Sequence, residues 1–136
     1  MKIEFRGKRL RSSEWVHGFY YEERGFSYIT VVTDKPGEIP VHLNVPVRPK
    51  TVGQYTNLND KNGKKIFEGD VVKWGDTLGG EERPIRIATV KINPDIQFDS
   101  NVGIFNYGQF AYKNTEKFLT ILGNIHDNPE LLEVSE

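Results

Sequence analysis

The sequence predicts a small, mostly β protein: an SH3-like barrel with an N-terminal β-hairpin unit before it and a short C-terminal helix after it. Thirteen glycines and seven prolines interrupt the 136-residue chain every several positions. The runs between them are rich in Val, Ile, Tyr, Phe and Thr, which favour strands. A domain near this size buries roughly 68–70% of the surface of its unfolded chain, so the strands can enclose a core.

The N-terminal unit is predicted to be a hairpin followed by a connector. Residues 15–21 and 26–32 are aromatic and β-branched runs, and the loop between them ends in Gly25, which tolerates positive φ. Pro40, Pro46 and Pro49 argue against a central strand over residues 40–50, because proline has no N–H for the ladder. We therefore assign residues 1–50 to an N-terminal β unit with a proline-rich connector.

Residues 51–136 are predicted to form the barrel. Asn62-Gly63 is a turn signal, and a strand should follow over 66–74 with a bend at Gly69. A flexible, glycine-containing loop is expected over 75–82, and strands over 84–92, 96–98, 102–105, 110–112 and 118–123. Asn128 as N-cap and Pro129 at the first helical position predict a C-terminal helix of one or two turns. Closing such strands into an SH3-like barrel would avoid bare edges.

The amino-acid composition indicates in which cellular compartment the protein works and which kinds of partner are expected. The chain has no cysteine, which excludes disulfides and thiolate metal sites and is usual in a reducing cytoplasm. Charges at Lys2, Glu4 and Arg6 exclude a signal-peptide core, and no apolar run approaches the roughly 20 residues of a membrane helix. Eighteen basic and nineteen acidic residues give a net charge of −1. We therefore expect a cytoplasmic protein that does not associate with a membrane. We also expect no overall positive charge through which the whole domain would attract nucleic acid.

Three stretches, spread from near the first residue to near the last, resemble the signature blocks of the YopX family of phage and prophage proteins. They are Phe5-Arg6-Gly7-Lys8 with Glu14-Trp15-Val16-His17-Gly18-Phe19; Val52-Gly53-Gln54-Tyr55-Thr56 through Asp60-Lys61-Asn62-Gly63-Lys64 to Glu68-Gly69-Asp70-Val71-Val72; and Leu122-Gly123-Asn124-Ile125 with Asn128-Pro129-Glu130-Leu131-Leu132.

The resemblance implies a β-rich protein with an SH3-like barrel, encoded by a phage or prophage in a bacterial host, and it supplies no catalytic residues. One departure is Asn57, where the family pattern leads us to expect glycine. Asparagine tolerates left-handed backbone geometry better than most residues, so the turn should be kept. Residues 74–83 and 93–118 show no family pattern, and partner specificity could lie there.

Four patterns in the sequence could suggest a metal, catalytic or phosphate-binding site, but in each of them required residues are not at the required positions. In a calcium loop with Gly63 at the sixth position, Leu58 would stand first and Gly69 twelfth, where carboxylates are needed. The three histidines have no metal-ligand spacing, and His126-Asp127 lacks a nucleophile in a recognisable elbow. No phosphate-loop pattern occurs among the glycines of residues 75–80. We expect a protein without cofactor or metal that is not an enzyme.

The leading functional hypothesis is a non-catalytic protein-interaction module, since small barrels offer grooves and strand edges to a host or phage protein. Four aromatic residues are the candidates for this partner surface: Tyr55, Trp74, Phe105 and Tyr107. The competing interpretation is that aromatic residues fill the core, because they dominate packing in β proteins.

The alternative is a nucleic-acid-binding accessory protein of phage DNA metabolism or regulation. Basic residues near aromatic ones suggest it, and single strands would suit such a surface best. The candidates are Arg6, Lys8, Arg9, Arg11, Lys61, Lys64, Lys65 and Lys73. The competing interpretation is a set of solvated charges balanced by acidic neighbours. Self-association through strand edges is a third hypothesis, and hydrolase or transferase activity a fourth with only generic support.

Overall fold

The protein forms two compact units, Met1–Tyr55 and Thr56–Glu136. The computed structural model describes residues 3–33, 35–78, 81–92, 96–100, 103–106 and 119–131, the side chains of 74–78, 81–86 and 103–106 excepted. These residues are mostly β, as predicted. In chain order the elements are β1 (Phe5–Lys8), β2 (Trp15–Glu23), β3 (Phe26–Thr33), β4 (Val41–Val47), a 3₁₀ helix (Pro49–Thr51), β5 (Gly53–Asn59), β6 (Lys65–Phe67), β7 (Asp70–Leu78), β8 (Glu81–Ile92), β9 (Ile96–Ser100), β10 (Gly103–Asn106) and β11 (Thr120–Asn124).

The first unit is an antiparallel sheet in the order β4-β3-β2-β1, with the first residues of β5 beside β1. β2 is shared between two neighbours, because residues 15–18 pair with β1 and residues 19–23 pair with β3. Side chains alternate across the strands. One face supplies the core of this unit, built on Val16, Ile29, Val45 and Val47.

The predicted hairpin between β2 and β3 is confirmed. Arg24 and Gly25 both have positive φ, 52° and 82°, as a tight two-residue turn requires when Glu23 pairs with Phe26. Within the hairpin, Gly18 lies against the neighbouring strand, where a β-carbon would collide with the carbonyl oxygen of Thr30. Gly18 is therefore needed for close approach of two strands rather than for a turn.

The predicted proline-rich connector contains a strand. β4 pairs with β3 over seven residues, from Ser27 opposite Val47 to Thr33 opposite Val41. β4 stands at the end of the strand order, and Pro46 is accommodated there because an edge strand can spare one donor. The prolines excluded a central strand correctly, but they did not exclude an edge strand.

The second unit contains a five-stranded antiparallel sheet in the order β10-β9-β8-β7-β11. Its core consists of Ile66, Val72, Ala88, Val90, Phe98 and Leu119. The bend predicted at Gly69 is present: Gly69 has φ 95° and lies between β6 and β7. One prediction differs from the structure here. The expected loop over 75–82 is largely strand, since β7 continues to Leu78 and β8 begins at Glu81.

The turn after β5 is organised by one buried carboxylate. Asp60 is 1% exposed, and its Oδ1 accepts the main-chain N–H groups of Asn62 at 2.8 Å and Lys64 at 2.9 Å. Its Oδ2 accepts the N–H of Ile121 on β11 at 3.1 Å. The preceding Asn57 has φ 66°, so the asparagine does adopt the left-handed geometry expected of it. Asp60 thus holds a local turn and a distant strand together.

The SH3-like barrel and the short C-terminal helix are not confirmed. The strands of the described residues are ordered as open sheets. After β11, Asn124 Oδ1 accepts the N–H groups of His126 at 3.0 Å and Asp127 at 2.9 Å. A single 3₁₀ turn follows at residues 129–131, where Leu131 N donates to Asn128 O. Residues 132–136 lie outside the part of the chain that the structure describes.

Candidate functional site

One face of the first sheet carries exposed aromatic side chains. Phe19 and Tyr21 on β2 and Phe26 and Tyr28 on β3 alternate with residues that point into the core, so all four lie on the opposite face. Phe19 is 58% exposed and Phe26 is 56% exposed. Large apolar side chains with this exposure in one patch are typical of interaction surfaces.

The pairing of β2, β3 and β4 places Tyr21, Tyr28 and Pro46 side by side in one row across the sheet. Tyr21 lies opposite Tyr28, and their rings stack with centroids 5.1 Å apart and planes 15° apart. Pro46 on β4 is the next partner of Tyr28, and its carbonyl oxygen accepts the N–H of Leu10 at 3.1 Å. Leu10 is 42% exposed. We call this surface the aromatic face; its members are Leu10, Phe19, Tyr21, Phe26, Tyr28 and Pro46.

A groove of about 650 Å³ opens on one side of the aromatic face. This volume lies within the range of about 300–1,000 Å³ that is usual for ligand pockets. The lining combines apolar side chains with charged and polar ones: Arg9, Leu10, Arg11, Ser12, Glu14, Phe26, Tyr28, Val45 and Pro46. The groove therefore offers both apolar surface and hydrogen-bonding groups to a ligand.

The charge around the groove is mainly positive. Arg9 forms an exposed ion pair with Glu14, Nε to Oε2 at 3.4 Å. Arg11 is exposed, and a nitrogen of the exposed Arg48 guanidinium lies 3.4 Å from the carbonyl oxygen of Ser12. Three arginines thus stand near Glu14, and a second glutamate, Glu23, pairs with Phe26 at the groove. The first 55 residues as a whole carry nine basic and six acidic residues, a net charge of +3.

Two tyrosines of this sheet have a raised pKa. Desolvation raises the pKa of Tyr21, and the charge of Glu23 and the neighbouring Tyr28 add to the effect. Desolvation also raises the pKa of Tyr20 on the core side, together with its hydrogen bond to the Glu22 carboxylate. Both phenols stay neutral at physiological pH and keep a hydrogen to donate.

The groups that the groove and the aromatic face supply are suited to binding. Within the described ranges there is no cluster of three or more His, Asp or Glu residues with metal-binding geometry. Among the groove-lining residues that the structure describes are Ser12 and Glu14, but no histidine or lysine that could activate a nucleophile. What it does supply is apolar area, aromatic faces and arginine donors.

Of the four aromatic candidates chosen from the sequence, Tyr55 has a described side chain, and it is not a member of the aromatic face. Tyr55 is 7% exposed, so its ring cannot serve as a docking surface, and the core-filling interpretation applies to it. The backbone of Trp74 lies on β7 and that of Phe105 on β10, but their side chains fall outside the described parts. Tyr107 also lies outside the described residues.

The basic candidates divide between the two units. Arg6 and Lys8 are buried, and both cations lie over the ring of Trp15, at 4.6 Å and 5.7 Å from its centroid. They were expected at a nucleic-acid surface, but a cation–π arrangement removes them from solvent. Arg9 and Arg11 belong to the groove wall. In the second unit, three lysines are exposed near the Asp60 turn and one is half-buried on β7: Lys61, Lys64, Lys65 and Lys73.

Sequence reasoning missed Leu10, Phe19, Phe26 and Tyr28 as site residues. The available signal was the hairpin register. With the turn at Gly25, strand alternation puts Phe19, Tyr21, Phe26 and Tyr28 on one face. Which face is buried depends on β4, and that strand was not predicted.

Comparison with known proteins gives a family and a structural neighbour. The family model described as YopX protein matches residues 4–133. A crystal structure of protein EF1440 from Enterococcus faecalis is similar with a TM-score of 0.55 and 17% sequence identity, covering 97% of this chain and 99% of that chain. No curated protein matches the sequence. The described residues also contain no helix long and apolar enough to cross a membrane.

Proposed function

Because the chain belongs to the YopX protein family, we propose that it is a phage- or prophage-encoded, non-catalytic protein-interaction module of the bacterial cytoplasm. The observation that carries this proposal is the groove, in which exposed Leu10 and Phe26 stand beside Arg9 and Arg11. Aromatic and arginine side chains are enriched at protein interfaces and dominate their binding energy.

The physical reason for an apolar partner is the exposed area of the aromatic face. Burying apolar surface contributes about 25 cal/mol per Å², so covering two phenylalanine rings and a leucine is a substantial gain for any partner that fits them. Phe and Tyr also lose little side-chain entropy when a partner immobilises them, because each has only two rotatable side-chain bonds. The stacked Tyr21 and Tyr28 are already held in place by their ring contact.

The test compares proteins captured by three forms of the tagged full-length chain, expressed in bacterial cytoplasm and quantified by mass spectrometry. Phe26→Ala should reduce the specifically captured proteins at least tenfold. Val32→Ala is the matched control, since Val32 is exposed on the same strand and the same face but lies outside the groove. A captured set that is identical for the wild type and Phe26→Ala would remove the groove from the proposal.

Single-stranded nucleic acid is the second candidate ligand, and the aromatic face is the observation that favours it. Exposed rings beside arginines can stack bases while the guanidinium groups contact phosphates. Fluorescence anisotropy with a labelled oligothymidylate at low and moderate salt tests this, with Phe19→Ala and Phe26→Ala expected to weaken binding. An absence of binding at low salt, where electrostatic attraction is strongest, would end this candidate.

A further inference from the structure

β4 presents an incompletely paired edge beside the groove. In an antiparallel strand, consecutive residues direct their N–H and C=O groups to opposite sides. The Pro46 carbonyl and the Arg48 N–H point away from β3, because the carbonyl accepts from Leu10 N at 3.1 Å and the N–H donates to Lys8 O at 2.9 Å. By the same alternation, Asn44 and His42 direct their N–H and C=O groups to that outer side.

Pairing on that outer side stops at Leu10. Within the described part of the first unit, the main-chain partners on this side are Leu10 for Pro46, Lys8 for the Arg48 N–H, and Arg9, which forms a β-bridge with Val47. Beyond Leu10 the chain turns away, toward Glu14 and β2. The edge from Val45 back to Val41 is therefore available to an added strand, with donors and acceptors on His42 and Asn44.

The side chains along this edge suit an apolar strand. Val41 is 52% exposed, Leu43 is 49% exposed, and Ile39 just before the strand is 87% exposed. β4 has no Asp, Glu, Lys or Arg among its seven residues. Natural edge strands are commonly protected from pairing by such charges. An apolar, uncharged edge next to an apolar groove is a favourable site for strand addition.

Charge complementarity selects the chemistry of the partner. The groove shares Val45 and Pro46 with β4, so a strand on the edge leads into it. Among the groove-lining residues that the structure describes, Arg9 and Arg11 are basic and Glu14 is acidic; Arg48 lies beside Ser12, and Glu23 pairs with Phe26. The unit as a whole has a net charge of +3. Carboxylates of a partner would meet arginine donors, which bind them through paired hydrogen bonds.

We propose that the partner of this module is an acidic, apolar protein segment that adds to β4 as an antiparallel strand at His42 and Asn44 and places its carboxylates in the arginine-lined groove. This inference rests on the proposed interaction function and specifies how the partner binds. An antiparallel strand runs in the direction of β1, from the groove toward Val41. The acidic residues therefore precede the apolar ones in the partner sequence.

The probe is a fluorescein-labelled peptide in which four alternating Asp and Glu residues precede Val-Thr-Val-Thr-Val. The same composition in reverse order is its control. Anisotropy titration of the full-length chain should show at least tenfold tighter binding of the acidic-first peptide. Equal binding of the two orders would overturn the antiparallel arrangement.

A backbone substitution tests strand addition directly. Asn44→Pro removes the outward N–H while leaving the bonds of β4 to β3 at residues 43 and 45, and it should weaken peptide binding at least tenfold. Asn44→Ala keeps the N–H and equally loses the side-chain bond from Thr30 Oγ1, so it should bind nearly as well as the wild type. Circular dichroism checks that both variants are folded.

Modified peptides give the same test without altering the protein. N-methylation of alternate peptide residues removes every second N–H, and only one of the two alternate sets faces β4. One methylated peptide should lose binding at least tenfold and the other should not. Equal effects from both sets would overturn strand addition even if Asn44→Pro failed to fold.

The groove contribution is tested by charge reversal. Arg11→Glu should weaken the acidic-first peptide at least tenfold, whereas Lys64→Glu, an exposed reversal in the other unit, should change binding less than twofold. Equal effects of the two reversals would overturn the docking of carboxylates in the groove.

Two other occupants of the edge would each overturn the inference. One is a second copy of this chain, seen in sedimentation velocity as a dimer that Asn44→Pro dissociates. The other is nucleic acid, seen as an oligothymidylate that displaces the peptide. If Phe26→Ala captures fewer proteins but the wild type does not bind the peptide, the interaction function is kept and strand addition is rejected. Capture unaffected by Phe26→Ala would instead reject the proposed function itself.

Discussion

Replacing Asp60 by alanine should destabilise the second unit strongly, because its carboxylate is buried and accepts three main-chain N–H groups. The two turn amides, of Asn62 and Lys64, belong to exposed residues and can regain water when the carboxylate is removed. The amide of Ile121 belongs to a half-buried residue on β11, so its loss is harder to compensate.

The expected magnitude follows from these three bonds. Losing a hydrogen bond costs about 1 kcal/mol when the freed N–H regains water, and about 1.5–3 kcal/mol when a bond to a charged group is lost and the N–H stays buried without a partner. Asp60→Ala produces two N–H groups of the first kind and one of the second, so the loss in unfolding free energy should be roughly 3–5 kcal/mol. Asp60→Asn can keep its one side-chain oxygen for the turn, but an N–H₂ group then faces the Ile121 N–H and that hydrogen bond is lost. Its loss should be about 2 kcal/mol.

Equilibrium urea denaturation measures these losses. Trp74 lies in the second unit and Trp15 in the first, so a Trp15→Phe background assigns the fluorescence change to the unit that contains Asp60. The matched control is Asp99→Ala, which removes the exposed Lys91–Asp99 ion pair at 2.8 Å. An exposed pair contributes about 0–1 kcal/mol. A loss below 1 kcal/mol for Asp60→Ala, equal to that control, would refute the argument.

Two further predictions concern the first unit. Gly18→Ala should prevent correct pairing of β2 with β3, because the added β-carbon would collide with the Thr30 carbonyl oxygen. Circular dichroism should show loss of the β signal for this variant. The control variant Gly25→Asn should remain folded. Tyr20 should ionise above the ordinary tyrosine pKa of 10.0, because desolvation and the Glu22 hydrogen bond favour its neutral form. The associated stability is complete below the unfolded pKa and is lost as pH rises through the folded pKa, so Tyr20→Phe should be less sensitive to alkali than the wild type. The difference in tyrosinate absorbance between the wild type and Tyr20→Phe during alkaline titration isolates Tyr20 from the other five tyrosines. A Tyr20 midpoint at or below 10.0 would contradict the raised pKa.

The sequence predicted the elements that local chemistry determines. Gly25 located the β2–β3 hairpin, and Asn57 was assigned a left-handed conformation that the structure has. The proline-rich segment was misassigned because an edge strand tolerates proline where a central strand does not. The glycines of residues 75–80 suggested a loop, yet Gly75 lies within β7 beside a shift in register. Whether such residues join a strand depends on a partner strand that is distant in sequence.

The candidate site was harder to predict because the hairpin has aromatic residues on both faces. Tyr20 packs against the core while Phe19 and Tyr21, its direct neighbours, lie on the opposite face. Composition gives the same signal for all three, and only the register with β3 separates them. Arg6 and Lys8 show the converse problem: charge suggests a solvated surface, but Trp15 offers both cations an aromatic ring.

Net charge also conceals how charge is distributed between the units. The first unit carries +3, whereas residues 56–136 carry thirteen acidic and nine basic residues, a net charge of −4. The sum of −1 argued against a positively charged binding surface, but a partner at short range responds to the local field, since charges beyond about 8–10 Å are largely screened at physiological salt. A carboxylate entering the groove would therefore respond mainly to Arg9 and Arg11 and to their acidic neighbours, and less to the net charge of the whole chain. The proposed acidic segment is for this reason compatible with a protein whose net charge is −1.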